Sequence, residues 1–139
     1  RAAHGEETDL RIALTARERP DVTVAVPADP VLVDVLVAHE VDAALAAALD
    51  NVDRHAGPGA RAWVLLEGDS SGLEVTIRDD GVGAQLADVF DAADRGRLGV
   101  SSSIRGRIED LGGTVTWTTR PGGGCVVRMT IPRTVKERA

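Results

Sequence analysis

The most informative segment of this chain is residues 73–83, LEVTIRDDGVG. Apolar and polar side chains alternate along its first part, which is typical of a β-strand with one buried face. The apolar residues within 73–77 share one face, so Asp79 is expected to face inward with them and Asp80 to face outward. An inward carboxylate carries a burial cost, and the glycines that follow let the backbone approach a bound molecule closely. We therefore expect Asp79 to accept a hydrogen bond from a ligand.

The composition is that of a single domain. The chain has 139 residues, of which 43% are hydrophobic, and this is enough to build one core. The net charge of −6, without any basic run, argues against binding to nucleic acid or anionic lipid. Cys125 is the only cysteine, which excludes an internal disulfide and a cysteine metal cluster. No apolar stretch is long enough to be a signal or membrane-spanning segment, so we expect a cytoplasmic location.

The first half of the chain predicts a hairpin followed by a helix. Apolar residues alternate at positions 10–14 and again at 22–26, with turn-forming residues at 19–21 between them. From about 39–56 the apolar period becomes helical, and the sequence GPG at 57–59 ends the helix.

The second half predicts two further hairpins and a second helix. Strands are expected at about 61–67 and 73–80, and at about 115–117 and 126–131. The segment between them contains a loop with a short helical piece near 86–93, then a helix at about 100–111. These elements predict a two-layer α/β sandwich in which helices cover one face of a single sheet.

A polar stripe runs along the first predicted helix. Ala47, Asn51 and His55 are spaced four residues apart and share one face, with Arg54 beside them. Asparagine is a poor helix former, so the Asn51 amide oxygen is a candidate magnesium ligand, with Arg54 and His55 near phosphate. Ordinary surface hydrogen bonding is the alternative for these residues.

Glycines also precede the second helix. Gly96 and Gly99 flank its beginning, where free backbone amides and the positive end of the helix dipole can bind phosphate. A purely structural loop is the alternative interpretation.

The order of these segments resembles a known family. The segments are NVDRHA from residue 51, DDGVG from 79, GRLG from 96, LGG from 111 and PGGG from 121, with Ile131-Pro132 after them. This series is similar to the ATP-binding domain of bacterial sensor histidine kinases, in the Bergerat-fold (GHKL) group shared with gyrase, heat-shock protein 90 and MutL. The resemblance covers 9–132, which leaves 1–8 as a flanking segment and 133–139 as a tail. It implies a mixed, mostly antiparallel sheet.

The resemblance implies a role for each matching residue. Asp79 would accept the exocyclic amine of adenine, and Asn51 would ligate Mg²⁺ between the phosphates of ATP. Arg54 and His55 would lie near the phosphate chain. Gly81 and Gly83 would allow the base and the lid hinge to fit. Gly96 and Gly99 would form the hinge of a lid over the triphosphate. Positioning and charge neutralisation of this kind are most of what phosphoryl transfer requires.

The chain departs from the family pattern at Ala47, at Cys125 and at Ser101–Ser103, where a further glycine usually appears. Ala47 stands where the family commonly has a glutamate, so we expect no catalytic base in this chain and weak hydrolysis of ATP. Glu40 lies on a similar helical face but about 16 Å from Asn51 along the helix axis, too far to replace that glutamate. Cys125 stands at the usual threonine position, where we expect a packing role.

The resemblance implies a histidine kinase that works with other domains. The γ-phosphoryl group would pass from ATP to a histidine on a dimerisation domain of the same protein, and then to a response regulator. The short interval between Gly83 and Gly96 lacks a phenylalanine box, which resembles kinases that act on regulators of the NarL and LuxR type. The isolated domain would be monomeric, and the full-length protein would be a homodimer. The domain would lie in the cytoplasm, whether or not the full-length sensor is bound to a membrane. The alternatives are an anti-sigma-factor serine kinase and an ATP-binding regulatory module without catalysis.

Overall fold

The computed structural model describes residues 6–57, 59–81, 98–120 and 123–132. In chain order its elements are β1 (Glu7–Asp9), α1 (Leu10–Thr15), β2 (Val22–Ala25), β3 (Leu32–Asp34), α2 (Val35–His55), β4 (Ala62–Gly68), β5 (Gly72–Asp79), α3 (Leu98–Asp110), β6 (Thr114–Arg120) and β7 (Gly124–Pro132). The short helix predicted near 86–93 lies outside the described residues. Within the described ranges, no helix is both long and apolar enough to cross a membrane.

The main sheet has five strands in the order β2-β4-β5-β7-β6. Strand β2 runs parallel to β4, and the other neighbouring pairs are antiparallel. The two predicted hairpins of the second half, β4–β5 and β6–β7, are confirmed. Strands β1 and β3 form a separate two-stranded antiparallel sheet.

Helices cover one face of the main sheet, and the core lies between the two layers. Alternate residues of each long strand point into this core, as the period of two requires. The fully buried members with the largest side chains come from both layers: Leu10, Leu14, Val37, Val41, Leu45, Leu66, Ile77, Ile108, Met129 and Ile131. The predicted two-layer α/β sandwich with a mixed, mostly antiparallel sheet is therefore confirmed.

The outer face of the sheet carries a cross-strand cation–π pair. Trp63 is 37% exposed, and the guanidinium of Arg78, opposite it on β5, lies 5.2 Å from the centre of its ring. A cation held over an indole ring at this distance is attracted by the ring quadrupole. Trp63 therefore packs against the neighbouring strand β5 on this face.

The hairpin predicted near the N-terminus is wrong, because its first arm is the helix α1. Leu10 and Leu14 are fully buried, whereas Ile12 is 69% exposed. Leu10 and Leu14 are four residues apart, and residues with this separation share a face in a helix and also in a strand. Their spacing therefore fits either structure. The carboxylate of Asp9 accepts a hydrogen bond from the backbone amide of Arg11 at 3.1 Å and caps the helix. Strand β2 instead pairs with β4.

Helix α2 begins at Val35, earlier than the predicted 39–56, and ends at His55. Two ion pairs tie it to the segment between α1 and β2. Arg17 donates to Asp42 at 2.9 Å, and Arg19 donates to Asp53 near the other end of the helix. The two contacts therefore connect this segment to the first half of α2 and to its C-terminal turn.

Helix α3 ends as its sequence predicts. Gly112 has a φ of 88°, a left-handed conformation that glycine adopts without strain. The amide of Gly113 donates to the carbonyl of Ile108 at 2.9 Å, which closes the last turn. Arg107 of this helix donates to Glu40 of α2 at 2.8 Å, so an ion pair joins the two helices.

The helical assignment of α1 is tested by two alanine substitutions. We expect Leu14→Ala to lower the free energy of unfolding by about 2–5 kcal/mol, because it leaves a cavity in the core. Ile12→Ala should change it by about 0.5 kcal/mol or less, because that side chain is largely exposed. Urea denaturation monitored by circular dichroism measures both values. Similar losses at the two positions would indicate a strand and contradict the helix.

Candidate functional site

Asp79 is the last residue of β5, in the middle of the main sheet. It lies opposite Ala62 of β4 and Cys125 of β7. Only 7% of Asp79 is exposed, whereas Asp80 is exposed and accepts a hydrogen bond from the backbone amide of Arg61 at 2.7 Å. The predicted inward orientation of Asp79 and outward orientation of Asp80 are confirmed.

The carboxyl of Asp79 is held by a backbone amide. Its Oδ1 accepts a hydrogen bond from the amide of Gly81 at 2.9 Å. Burial raises the pKa of Asp79 above its ordinary value of 3.8, the Gly81 amide opposes this rise, and the negative charge of Asp80 adds to it. The site therefore holds a buried carboxyl group that accepts hydrogen bonds and whose ionised form is costly without a further donor.

Gly81 brings the end of helix α2 against this carboxyl. A Cβ atom at Gly81 would lie 2.4 Å from both the Cβ and the carbonyl oxygen of Ala56, closer than atoms can approach. Only glycine allows the turn after β5 to pack directly on the residue that follows α2. The polar stripe of α2 and the carboxyl of Asp79 therefore belong to neighbouring parts of the molecule.

The structure places the polar residues of α2 just before this contact. Asn51 lies five residues before Ala56, about 7.5 Å along the helix axis, and is half-buried. Its side chain makes no hydrogen bond with any residue that the structure describes. The side chain of Arg54 is 69% exposed, and its Nε donates to Asp50 at 3.1 Å. His55 is the last residue of α2.

Ala47, one turn before Asn51, packs against the hydrophobic core. Glu40 does not provide a carboxylate at this point, because it is paired with Arg107 of α3. The neighbouring His39 has a side chain that is 74% exposed. One turn before Asn51 the structure therefore has a methyl group against the core.

The described residues contain no group of three or more His, Cys, Asp or Glu side chains that could hold a metal ion. A magnesium ion at Asn51 would therefore take its remaining ligands from phosphate oxygens and water, the arrangement that Mg²⁺ prefers when it binds with a nucleotide. The half-buried amide of Asn51 fits such a role.

The predicted glycines are placed only in part. Gly99 is the second residue of α3, and Gly83 and Gly96 lie outside the described residues. The sequence interpretation assigned no role to Gly124, yet a Cβ atom at that position would lie 1.9 Å from the carbonyl oxygen of Asp79. In the sequence, only the run of glycines at 122–124 indicates a close backbone contact here. The run does not show which of the three glycines approaches the Asp79 carbonyl.

Comparison with known families gives one match. The sequence profile described as "Histidine kinase-, DNA gyrase B-, and HSP90-like ATPase" matches residues 37–135. This range includes α2, the end of β5 with Asp79, and the hairpin that carries Gly124. Among curated proteins, no sequence shows a significant match.

Solved structures support the same family. The histidine kinase domain of a blue-light activated histidine kinase from Erythrobacter litoralis is 27% identical, with a TM-score of 0.61, and the alignment covers 89% of this chain and 57% of that one. The catalytic domain of the histidine kinase ThkA is 18% identical, with a TM-score of 0.73 and coverage of 94% and 98%. The mycobacterial sensor histidine kinase MprB is 20% identical, with a TM-score of 0.69 and coverage of 94% and 99%. The last two show a shared fold. The present chain spans little more than half of the Erythrobacter domain.

The burial of Asp79 predicts a pH dependence of stability. Because its pKa is raised in the folded state, the folded protein binds more protons than the unfolded chain between pH 3.8 and the raised value. Stability should therefore fall as pH rises through this window, and the cost should persist above it. Asp79→Asn removes this cost, so its melting temperature at neutral pH should equal or exceed that of the wild type.

Thermal unfolding of both proteins across a pH series measures this effect. Asp80→Asn is the comparison variant: it removes only the part of the rise that the charge of Asp80 contributes, so its effect on the pH dependence should be smaller than that of Asp79→Asn. A marked destabilisation by Asp79→Asn at neutral pH, with no dependence of the difference on pH, would contradict the assignment of burial as the main influence on Asp79.

Proposed function

Because the chain belongs to the family of histidine kinase-, DNA gyrase B- and HSP90-like ATPases, we propose that it is the ATP-binding catalytic domain of a sensor histidine kinase. In this proposal, residues 9–132 bind Mg-ATP and transfer its γ-phosphoryl group to a histidine on a separate dimerisation domain. A response regulator then receives the phosphoryl group, and we propose one of the NarL or LuxR type. The domain acts in the cytoplasm, monomeric when isolated and within a homodimer in the full-length protein.

The buried carboxyl of Asp79 is the observation that carries this proposal. It lies at the end of a core strand, is 7% exposed, and accepts a hydrogen bond from the backbone amide of Gly81. In its ionised form a carboxylate accepts hydrogen bonds only, so it complements the exocyclic amine of adenine, which is a donor. A purine amine would donate a hydrogen bond to the buried, ionised carboxylate of Asp79. Because the carboxylate is held in one orientation, this hydrogen bond would make binding specific for that amine. Gly81 contributes by packing the turn after β5 on Ala56 and by donating its amide to the carboxyl.

The polar residues of α2 would bind the triphosphate. Asn51 would contribute an oxygen ligand to Mg²⁺, and Arg54 and His55 would lie near the phosphate chain. Magnesium, when bound, supplies neutralisation of phosphate charge. Arg54 would exchange its exposed ion pair with Asp50 for phosphate oxygens, at small cost because exposed pairs are weak. Gly83, Gly96 and Gly99 would belong to the lid over the phosphates.

The transfer step needs little covalent chemistry from this domain. A nitrogen of the acceptor histidine attacks the γ-phosphorus, a P–N bond forms, the bond between the γ-phosphorus and the bridging oxygen breaks, and ADP leaves. The contribution of this chain is position and charge neutralisation. With Ala47 packed against the core, the base for the histidine proton would come from the acceptor domain.

The same alanine favours a second candidate, an ATP-binding regulatory module without catalysis. Ala47 cannot polarise a nucleophile, and Glu40 is paired with Arg107. In this case ATP would bind through Asp79 and Asn51 and only change the conformation of the domain. The two candidates agree on the binding site and differ on the transfer step.

Calorimetric titration with ATP tests the binding site. We expect the wild type to bind ATP more tightly with magnesium than without it. Asp79→Asn should weaken binding by about 1–3 kcal/mol, because the adenine amine then meets a donor–acceptor mismatch in a buried site. Asp80→Asn should bind like the wild type, since that side chain faces outward. Unchanged affinity in a folded Asp79→Asn protein would refute the adenine assignment.

Phosphotransfer separates the two candidates. The domain is mixed with radiolabelled ATP and a histidine-containing dimerisation domain of the NarL-partner type, and label on the acceptor is measured. Label that requires Asp79 supports the kinase. Magnesium-dependent ATP binding without any labelled acceptor, when the domain and acceptor are joined in one chain, would favour the regulatory module.

A further inference from the structure

Ala56 packs the end of α2 directly against the residue that follows Asp80. It comes immediately after the helix, is 7% exposed, and donates its backbone amide to the carbonyl of Val52 at 3.0 Å, which fixes it to the last turn. A Cβ atom at Gly81 would lie 2.4 Å from both the Cβ and the carbonyl oxygen of Ala56, and 2.7 Å from its Cα. A larger group between the two residues must therefore push the helix end and the strand end apart.

The residue before Gly81 is held by a different part of the chain. The backbone amide of Arg61 donates to the carboxylate of Asp80 at 2.7 Å, and the amide of Asp80 donates to the carbonyl of Arg61 at 3.1 Å. Arg61 directly precedes β4, so these two bonds tie Asp80 to the start of that strand. Because Asp80 is tied in this way, pressure on Gly81 from α2 is relieved most easily by a rotation or shift of the Gly81 peptide itself.

The Gly81 amide connects this packing to the candidate ligand-binding carboxyl. It donates to Oδ1 of Asp79 at 2.9 Å in a buried hydrogen bond. The donor and the acceptor are two residues apart in the chain, so a small rotation of the Gly81 peptide turns its N–H away from the carboxyl. A hydrogen bond weakens steeply as its angle closes. The packing of Gly81 on α2 therefore decides whether the carboxyl keeps this donor.

We propose that Ala56 is a positioning residue for the Asp79 carboxyl: its small side chain seats Gly81 where the Gly81 amide donates to that carboxyl. The consequence for adenine binding rests on the function proposed above, whereas the positioning itself does not. Ala56 does not contact the ligand in this proposal and acts through Gly81.

The chain offers a matched pair of substitutions for this test. Ala48 is also a buried alanine of α2, with 4% exposure, but it lies about two turns before Ala56 and packs in the hydrophobic core. Ala56→Val and Ala48→Val each add two carbon atoms to a tightly packed position and cost stability by overpacking. Only the valine at 56 meets Gly81, so a difference between the two variants reports on the Asp79 carboxyl rather than on stability.

Nuclear magnetic resonance of the ¹⁵N- and ¹³C-labelled domain tests the positioning directly. In the wild type, the Gly81 amide should shift with pH at the midpoint of the Asp79 titration, and Asp79→Asn should abolish this response. In Ala56→Val the response should be largely lost, and the pKa of Asp79 should rise further, because the Gly81 hydrogen bond favours the ionised form. Ala48→Val should keep both at their wild-type values. A wild-type amide response and a wild-type Asp79 pKa in folded Ala56→Val would overturn the proposal.

Affinity for adenosine and for ATP provides the functional readout. Ala56→Val should weaken both by a similar factor of about five to ten, because both ligands depend on the oriented carboxyl. Ala48→Val should bind each within about twofold of the wild type, whatever its loss of thermal stability. A loss for ATP alone would mean that residue 56 acts through the neighbouring Arg54 and His55, and equal losses in the two variants would show a general effect of overpacking. Either result overturns the positioning role.

A second pair of variants replaces the first if valine at 56 prevents folding. Gly81→Ala creates the clash from the other side of the contact. Gly113→Ala is its control, because a Cβ atom there would lie 2.2 Å from the carbonyl oxygen of Thr130, well away from Asp79 along the β5–β7 ladder. The pKa of Asp79 should rise in Gly81→Ala and stay unchanged in Gly113→Ala, and the same value in both variants would overturn the proposal.

Failure of this inference is distinguishable from failure of the proposed function. If the wild type binds neither adenosine nor ATP, the proposed function fails. The titrations of Asp79 and of the Gly81 amide need no nucleotide, so they still decide whether Ala56 positions the carboxyl.

Discussion

The pairing of β5 with β4 and β7 is the constraint on which the rest of the structure depends. Strand β5 is bonded on both sides, and Val75 and Ile77 fill the core beneath it. In a ladder with a side-chain period of two, a shift of one residue would send these side chains to the outer face. It would also exchange Asp79 for Asp80 at the buried position. The packing of the core thus selects which of two adjacent carboxylates faces the site.

Much of the fold could be predicted from the sequence because its long strands alternate clearly and its helices end at glycines. Strands β4 to β7 and the end of α3 follow these patterns. The N-terminal segment could not be predicted in the same way, since the spacing of Leu10 and Leu14 suits a helix and a strand equally. The hydrogen bond from Arg11 to Asp9 accompanies the helical choice, and it depends on local geometry. The start of α2 was obscured by exposed apolar side chains at Val35 and Leu36.

The candidate site shows a similar division. Alternation was sufficient to predict an inward Asp79, and the spacing along α2 was sufficient to group Asn51 with Arg54. The contacts of Gly81 with Ala56 and of Gly124 with Asp79 could not be predicted, because a close approach depends on how elements cross in space. In the sequence alone these glycines resemble those of any turn. The replacement at Ala47 was visible from the sequence, and the structure adds that its methyl group packs against the core.

The parallel pairing of β2 with β4 has a consequence for the order of folding. The two hairpins of the main sheet join strands that are adjacent in the chain, whereas Val22 pairs with Ala62, 40 positions further along. Contacts between distant residues carry a larger entropy of loop closure and form more slowly than local ones. We therefore expect β2 to join a sheet that the hairpins have already built. Helix α2 is the crossover between β2 and β4, so the two halves of the candidate site, one on α2 and one on the hairpins, come together only when this late step is complete.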